Sequence, residues 1–63
     1  MKAPGREVLF EVVRIGIHAK VTAIDPITGI EATVLGPARA SESELKTLAV
    51  RKLALALTKA GKG

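Results

Sequence analysis

Apolar and polar residues alternate along the first half of the chain. Over residues 17–24, one set of alternate positions is wholly apolar and the other is mostly polar: Ile17, Ala19, Val21 and Ala23 against His18, Lys20, Thr22 and Ile24. A period of two residues is typical of a half-buried β-strand. The alternation recurs over residues 30–35, and residues 7–16 are rich in β-branched side chains. The pattern therefore predicts three strands.

The turn between the second and third strands decides their register. Residues 25–29 read Asp-Pro-Ile-Thr-Gly, a composition that favours a turn. A five-residue loop would pair Ala23 with Glu31, whereas a four-residue loop over 26–29 pairs Ala23 with Ala32. A shift of one residue exchanges the two faces of a strand, and only the shorter loop keeps apolar residues opposite one another. We therefore expect the four-residue loop.

The first turn is predicted at Gly16 and Ile17, because glycine at the first central position suits a type II′ hairpin. This turn pairs Val12 with Val21. Both hairpins then agree on one core face, which comprises Val8, Phe10, Val12, Ala19, Val21, Ala23, Ile30, Ala32 and Val34. The strand order is 1-2-3, and Phe10 is expected to lie between the sheet and whatever covers it.

A helix is predicted for the last third of the chain. Ser41 and Glu44 have the spacing of a capping box, in which the serine hydroxyl accepts from the N–H three residues later. Good helix formers dominate from there to about Lys59. One helical face is apolar and should cover the sheet: Leu45, Leu48, Ala49, Leu53, Ala56, Leu57 and Ala60.

These elements predict an α+β fold. It is a three-stranded antiparallel meander, in order 1-2-3, with one C-terminal α-helix packed on one face. We expect one β-β-β-α domain over residues 7–60, preceded by a flexible lead-in over residues 1–6 and followed by a flexible tail over residues 61–63.

The short length changes this picture by making stability marginal. A chain of 63 residues buries only about 60% of the surface that its unfolded form exposes. Small domains compensate with disulfides, a metal or association, and this chain has no cysteine and one histidine. The remaining sources of stability are good packing and self-association. No stretch resembles a signal peptide or a membrane span, so we expect a soluble, cytoplasmic protein without membrane contact.

The net charge of +4 invites a nucleic-acid interpretation, but its distribution argues against one. Basic and acidic residues balance between residues 7 and 57. The excess lies near the two ends, on Lys2, Arg6, Lys59 and Lys62. Solvation of the protein surface explains these charges without a partner.

No group of residues predicts catalysis. His18 stands among polar residues without an orienting group. Glu11 and Glu31 flank Thr22 on a water-exposed face, where pairing with Lys20 is expected instead of a raised pKa. The glycines match no phosphate-binding pattern. We therefore expect no enzyme, no catalytic, cofactor-binding or metal-binding residue, and no small-molecule ligand.

Surplus apolar surface is the one feature that points to a function. The outward positions of the strands carry large apolar residues that one helix cannot cover: Leu9, Val13, Ile15, Ile24 and Leu35. Exposed apolar patches mark interfaces, although scattered apolar surface residues are ordinary. We expect an interaction module that forms a homodimer or binds an unknown protein. The sequence leaves open whether the sheet face, the edge of a strand or the helix forms the interface.

Two resemblances bear on this hypothesis. Residues 8–59 resemble a family of small, uncharacterised bacterial proteins, through Phe10-Glu11, Val13-Arg14-Ile15-Gly16, Lys20-Val21-Thr22-Ala23-Ile24-Asp25-Pro26, Thr28-Gly29, Gly36 and Leu53. That resemblance implies a β-β-β-α module and no activity.

The element order is also similar to the end of a double-stranded-RNA-binding domain. Nucleic-acid binding is the alternative function, with the contacts assigned to Arg51, Lys52, Lys59 and Lys62. Against it, the domain's preceding helix has no counterpart, and Glu44 stands where such domains carry lysine.

Overall fold

Three antiparallel strands and one helix make up the part of the chain that the computed structural model describes, residues 7–61. β1 spans Leu9–Ile15, β2 spans His18–Ile24, β3 spans Glu31–Pro37 and α1 spans Glu42–Lys59. The strands form one sheet in the order β1-β2-β3. The predicted meander with a C-terminal helix is confirmed. The predicted lead-in and the last two residues of the predicted tail lie outside the described residues.

Both hairpins have the predicted register. Val12 lies opposite Val21, and Ala23 lies opposite Ala32. Gly16 has a φ of +59°, and no residue other than glycine has a positive φ within residues 7–61. A positive φ at the first central position alone is the type II′ geometry, which matches the right-handed twist of the flanking strands.

β3 runs two residues further than predicted. The alternating pattern ends at Leu35, but Gly36 and Pro37 also pair with β2, opposite Ala19 and His18. Pro37 is tolerated because its missing N–H would point away from β2. Gly36 lies under the helix, where an added Cβ would come within 2.8 Å of a methyl group of Leu45. Glycine therefore allows sheet and helix to approach closely here.

The helix begins at the predicted cap. The Ser41 hydroxyl accepts a hydrogen bond from the Glu44 backbone N–H at 3.2 Å. The buried helical residues are Leu45, Ala49, Leu53, Ala54 and Leu57. Leu48 was predicted to be buried but is half exposed. Four of the buried residues of the helix follow one another at intervals of four, from Leu45 to Leu57, and Leu48 lies to one side of that row. Ala54 is buried although it was not predicted to be, whereas Ala56 is half-buried and Ala60 is exposed.

The helix lies over β2 and β3 and leaves β1 largely uncovered. Phe10 points to the helix side of the sheet as predicted, but it remains 38% exposed. The prediction that Phe10 is enclosed between sheet and helix is therefore wrong. A helix about 10 Å wide covers two strands that are about 4.8 Å apart, and a third strand falls beyond its edge. The centre of the core is formed by Leu53, Leu57 and Val21.

Candidate interaction surfaces

The sheet face opposite the helix, here called the outer face, carries all five apolar residues of the predicted interface. Ile15 and Leu35 are each 72% exposed, and Leu9 is exposed as well. Val13 and Ile24 are half-buried. The structure therefore brings the predicted residues onto one surface, and it separates them into two groups.

The two groups lie at opposite ends of the outer face and differ in charge. Near the first turn, Val13, Ile15 and Leu35 border a shallow groove of about 340 Å³ together with His18 and Lys20. At the other end, Leu9 pairs with Ile24, next to Glu11 and Glu31. One end therefore combines apolar surface with positive charge, and the other combines apolar surface with negative charge.

Two threonines close the centre of the outer face. Thr22 on β2 lies opposite Thr33 on β3, and their hydroxyl oxygens are 3.0 Å apart. Thr22 is buried although it faces outward. The hydrogen bond satisfies both hydroxyls, so the centre of this face can be covered without leaving a polar group unpaired.

A second groove, here called the β1–α1 groove, runs beside the uncovered first strand. It has a volume of about 650 Å³ and is lined by Phe10, Glu42, Ser43, Lys46, Thr47, Val50 and Arg51. The Lys46 ammonium lies 5.2 Å from the centre of the Phe10 ring, within cation–π range. The groove is an apolar floor with a charged rim.

Glu42 organises the charges at the start of α1. Its carboxylate lies 3.0 Å from the Lys46 ammonium and 3.6 Å from the Arg14 guanidinium. The hydrogen bond and the charge of Lys46, with a smaller effect of Arg14, lower the pKa of Glu42. Arg14 also donates to the Ala38 carbonyl oxygen at 2.7 Å, which ties β1 to the β3–α1 connection.

The outer face carries the titratable side chains of His18, Lys20, Glu11 and Glu31. His18 is exposed beside Lys20 on the outer face. Within residues 7–61, the ion pairs join Glu42 to Arg14 and Lys46, so the expected pairing of Lys20 with Glu11 or Glu31 is not formed. No three His, Asp or Glu side chains of this part of the chain are close enough to hold a metal ion.

The basic residues of the nucleic-acid alternative are not gathered on one surface. Arg51 lines the β1–α1 groove, whereas Lys52 reaches to the opposite side of the helix and donates to the Thr33 carbonyl oxygen at 2.7 Å. Lys59 lies in the last turn of α1. Lys62 lies outside the described residues.

Sequence reasoning missed a buried carboxylate in the second hairpin. Asp25 is fully buried. It accepts hydrogen bonds from the Thr28 hydroxyl at 2.7 Å and from the Ile27 N–H at 3.4 Å. The sequence contains a signal for this arrangement, because a Ser or Thr hydroxyl three positions after Asp in an Asp-Pro turn can donate a hydrogen bond back to the Asp carboxylate. Because these bonds lie within the turn, they stabilise the loop.

The sheet edges are protected unequally. On β3, the Lys52 ammonium donates a hydrogen bond to the Thr33 carbonyl oxygen, which points away from β2, and Pro37 has no N–H to offer to a further strand. Among residues 7–61, only β2 pairs with β1, so the other edge of β1 is open.

Within residues 7–61, α1 is not long and apolar enough to cross a membrane.

Comparison with known proteins finds one family. The profile of a family described as "Domain of unknown function (DUF6898)" matches residues 5–60, which include all three strands and the helix. No curated protein and no solved structure matches the chain. The match agrees with the resemblance to a β-β-β-α family without a known activity.

Proposed function

The chain belongs to the DUF6898 family of domains of unknown function, and we propose that it is a non-enzymatic interaction module that binds a second copy of itself through the outer face. The observation that carries this proposal is the exposure of Ile15 and Leu35, which border one groove on the face without a helix. Large exposed apolar residues within one patch are typical of interfaces.

The charge pattern favours a second copy as the occupant. A two-fold axis that lies parallel to the sheet and perpendicular to its strands places each end of one outer face on the opposite end of the other. Ile15 then meets Leu9 of the second copy, and Lys20 comes near Glu11 of the second copy. An isologous contact of this kind is self-complementary, as two-fold symmetry requires.

The size of the face predicts weak binding. Strands of seven residues are about 24 Å long, and three strands are about 14 Å wide. That footprint is less than half of the roughly 800 Å² that each partner buries in a standard interface. We expect a dissociation constant in the micromolar range or weaker.

The test compares two leucines of similar chemistry on opposite sides of the molecule. Leu35→Glu introduces a charge into the outer face, and the control Leu55→Glu introduces one on the exposed side of α1. In sedimentation equilibrium up to about several hundred micromolar, the wild type should exceed the mass of one chain. Leu35→Glu should lower that mass and Leu55→Glu should not. Equal masses for the three proteins would exclude the outer face, and dissociation by Leu55→Glu alone would move the interface to the helix.

We place the protein in the cytoplasm of a bacterium, in line with the absence of cysteine from the sequence and with the family resemblance.

Nucleic-acid binding through Arg51, Lys52, Lys59 and Lys62 remains the alternative. It predicts a shift of duplex RNA at low salt that disappears as salt is raised.

A further inference from the structure

The open edge of β1 offers a second way for two chains to join. An unpaired strand edge presents a row of N–H and C=O groups that can bind another strand, and natural sheets usually protect such edges. Here β3 is protected by Lys52 and Pro37, whereas in the part of the chain that the structure describes no lysine donates to a β1 carbonyl, and β1 contains no proline. The difference singles out β1 for pairing.

The first hairpin determines which groups of β1 point outward. Ile15 and His18 flank a two-residue turn, so they form a hydrogen-bonded pair. Hydrogen-bonded and non-bonded pairs alternate along an antiparallel ladder. The backbone groups of Phe10, Val12 and Arg14 therefore face away from β2, and their side chains lie on the helix side of the sheet.

The β1–α1 groove makes pairing at this edge favourable. Phe10 is the largest apolar side chain at the edge of the core, and it is 38% exposed because α1 does not extend over β1. A strand added beside β1 would widen the sheet under the groove. Its side chains would cover the Phe10 ring and reach Val50 on α1.

We propose that β1 pairs antiparallel with β1 of a second copy, centred on Val12, so that two chains share one six-stranded sheet. In this register Val12 meets Val12, Phe10 meets Arg14, Leu9 meets Ile15 and Glu11 meets Val13. All seven residues of β1 take part. The outward groups of Phe10, Val12 and Arg14 find partners in the same residues of the second copy.

Neighbouring registers are less favourable. A shift of two residues toward the N-terminus places Glu11 directly opposite Glu11 of the second copy, and like charges in that position repel. A shift of two residues toward the C-terminus leaves only five residues of each strand overlapping. The proposed register instead places the Phe10 ring against Arg14 of the second copy, whose aliphatic stem can pack on the aromatic face while its guanidinium keeps its bonds to Ala38 and Glu42.

Amide hydrogen exchange tests the pairing directly. The backbone N–H groups of Phe10, Val12 and Arg14 should exchange about tenfold more slowly once nine-tenths of the chains are paired, because only the unpaired tenth exchanges. Those of Glu31 and Leu35, on the edge of β3, should not change with concentration. Rates at β1 that are independent of concentration, or slowing at β3 instead, would overturn the proposal.

A proline pair separates edge pairing from the outer face. Val12→Pro removes an N–H that the monomer does not use, and the matched control Glu31→Pro removes an outward N–H from β3. We expect Val12→Pro to abolish the slowing at Phe10 and Arg14, and Glu31→Pro to retain it. Leu35→Glu should retain it as well, since this pairing does not involve the outer face. Loss with Leu35→Glu and retention with Val12→Pro would place all association on the outer face.

A cysteine pair keeps the test decisive if Val12→Pro does not fold. The chain has no cysteine, so Val12→Cys introduces a single thiol. Directly opposite residues of a hydrogen-bonded pair have Cα atoms about 5.5 Å apart, within the range of a disulfide. With oxidised glutathione, Val12→Cys should form disulfide-linked dimers at least about tenfold faster than Leu48→Cys on exposed α1 surface. Equal rates would contradict the pairing.

Discussion

At the scale of single residues, the second hairpin depends on the buried carboxylate of Asp25. Its hydrogen bonds from Thr28 and Ile27 replace bonds to water for a polar side chain that is fully buried. The Thr28 hydroxyl in turn accepts from the Ile30 N–H at 3.2 Å. One hydroxyl group therefore connects the carboxylate to Ile30, the residue just before β3.

Removing that hydroxyl should weaken the fold. Thr28→Val is nearly isosteric, but it takes a donor from Asp25 and an acceptor from Ile30, which we expect to cost about 1–3 kcal/mol. Thr28→Ser keeps the hydroxyl and should cost much less. Urea unfolding followed by circular dichroism measures both variants. A Thr28→Val protein as stable as Thr28→Ser would show that the hydroxyl is not needed.

The lowered pKa of Glu42 predicts a small dependence of stability on pH. Since the carboxyl binds its proton less tightly in the folded chain, its contribution is present above its unfolded pKa and is lost as the pH falls through the folded pKa. Glu42→Gln should therefore lower the melting temperature at pH 7. The difference from wild type should shrink in melts at acidic pH, and a constant difference would contradict this assignment.

At the scale of elements, the lateral position of α1 decides which side chains hold the core. Leu53 is fully buried under the sheet, whereas Phe10 lies beyond the edge of the helix. Leu53→Ala should cost about 2–5 kcal/mol. Phe10→Ala should cost about 1–2 kcal/mol in the monomer, since the ring is only partly removed from water.

Thermal melts in the low micromolar range, where the chains are apart, compare these variants. The informative result is which of the two substitutions, Leu53→Ala or Phe10→Ala, lowers the melting temperature more. If Phe10→Ala were the more damaging change, the helix would have to extend over β1.

The strand pairing was predictable from the sequence, but the placement of the helix was not. Period-two patterning leaves one register per hairpin, because a slip of one residue would turn Val21 and Ala32 outward. The apolar stripe of α1 is broad, since leucine and alanine also occupy positions such as Leu48 and Ala54. Such a stripe fixes which side of the helix meets the sheet only approximately. It therefore could not show that Phe10 would remain outside the core.

The five outer-face residues were found together because their positions follow from the register alone. The protection of β3 by Lys52 could not be predicted from the sequence, as it joins residues 19 positions apart through a side chain and a backbone carbonyl. The ion pairs of Glu42 were missed for a related reason. Arg14 lies on the helix side of β1, and only the tertiary structure brings it to α1.

At the scale of the whole molecule, the two proposed contacts are geometrically compatible. The two-fold axis of the outer-face contact passes at the level of Val12, between Val13 and Glu11, and the axis of the edge contact passes midway between the Val12 residues of the two chains. Perpendicular axes that meet at one point generate a closed assembly of four chains. Its layers would be helices, sheet, sheet and helices.

Sedimentation of the variants tests this arrangement. The wild type should approach the mass of four chains at high concentration. Leu35→Glu and Val12→Pro should each stop at two chains, and the double variant should remain a single chain. A double variant that still associates would reveal a third contact surface.

The lysine on the edge of β3 also determines where growth of a sheet stops. A domain with two open edges can add copies at both ends without limit and form a fibre. In the proposed pairing, Lys52 and Pro37 protect β3 and leave β1 as the edge that pairs, so each chain accepts one neighbour within its sheet and the six-stranded sheet ends in a protected edge on either side. In that assembly, the Lys52 ammonium group would end the growth of the sheet at β3.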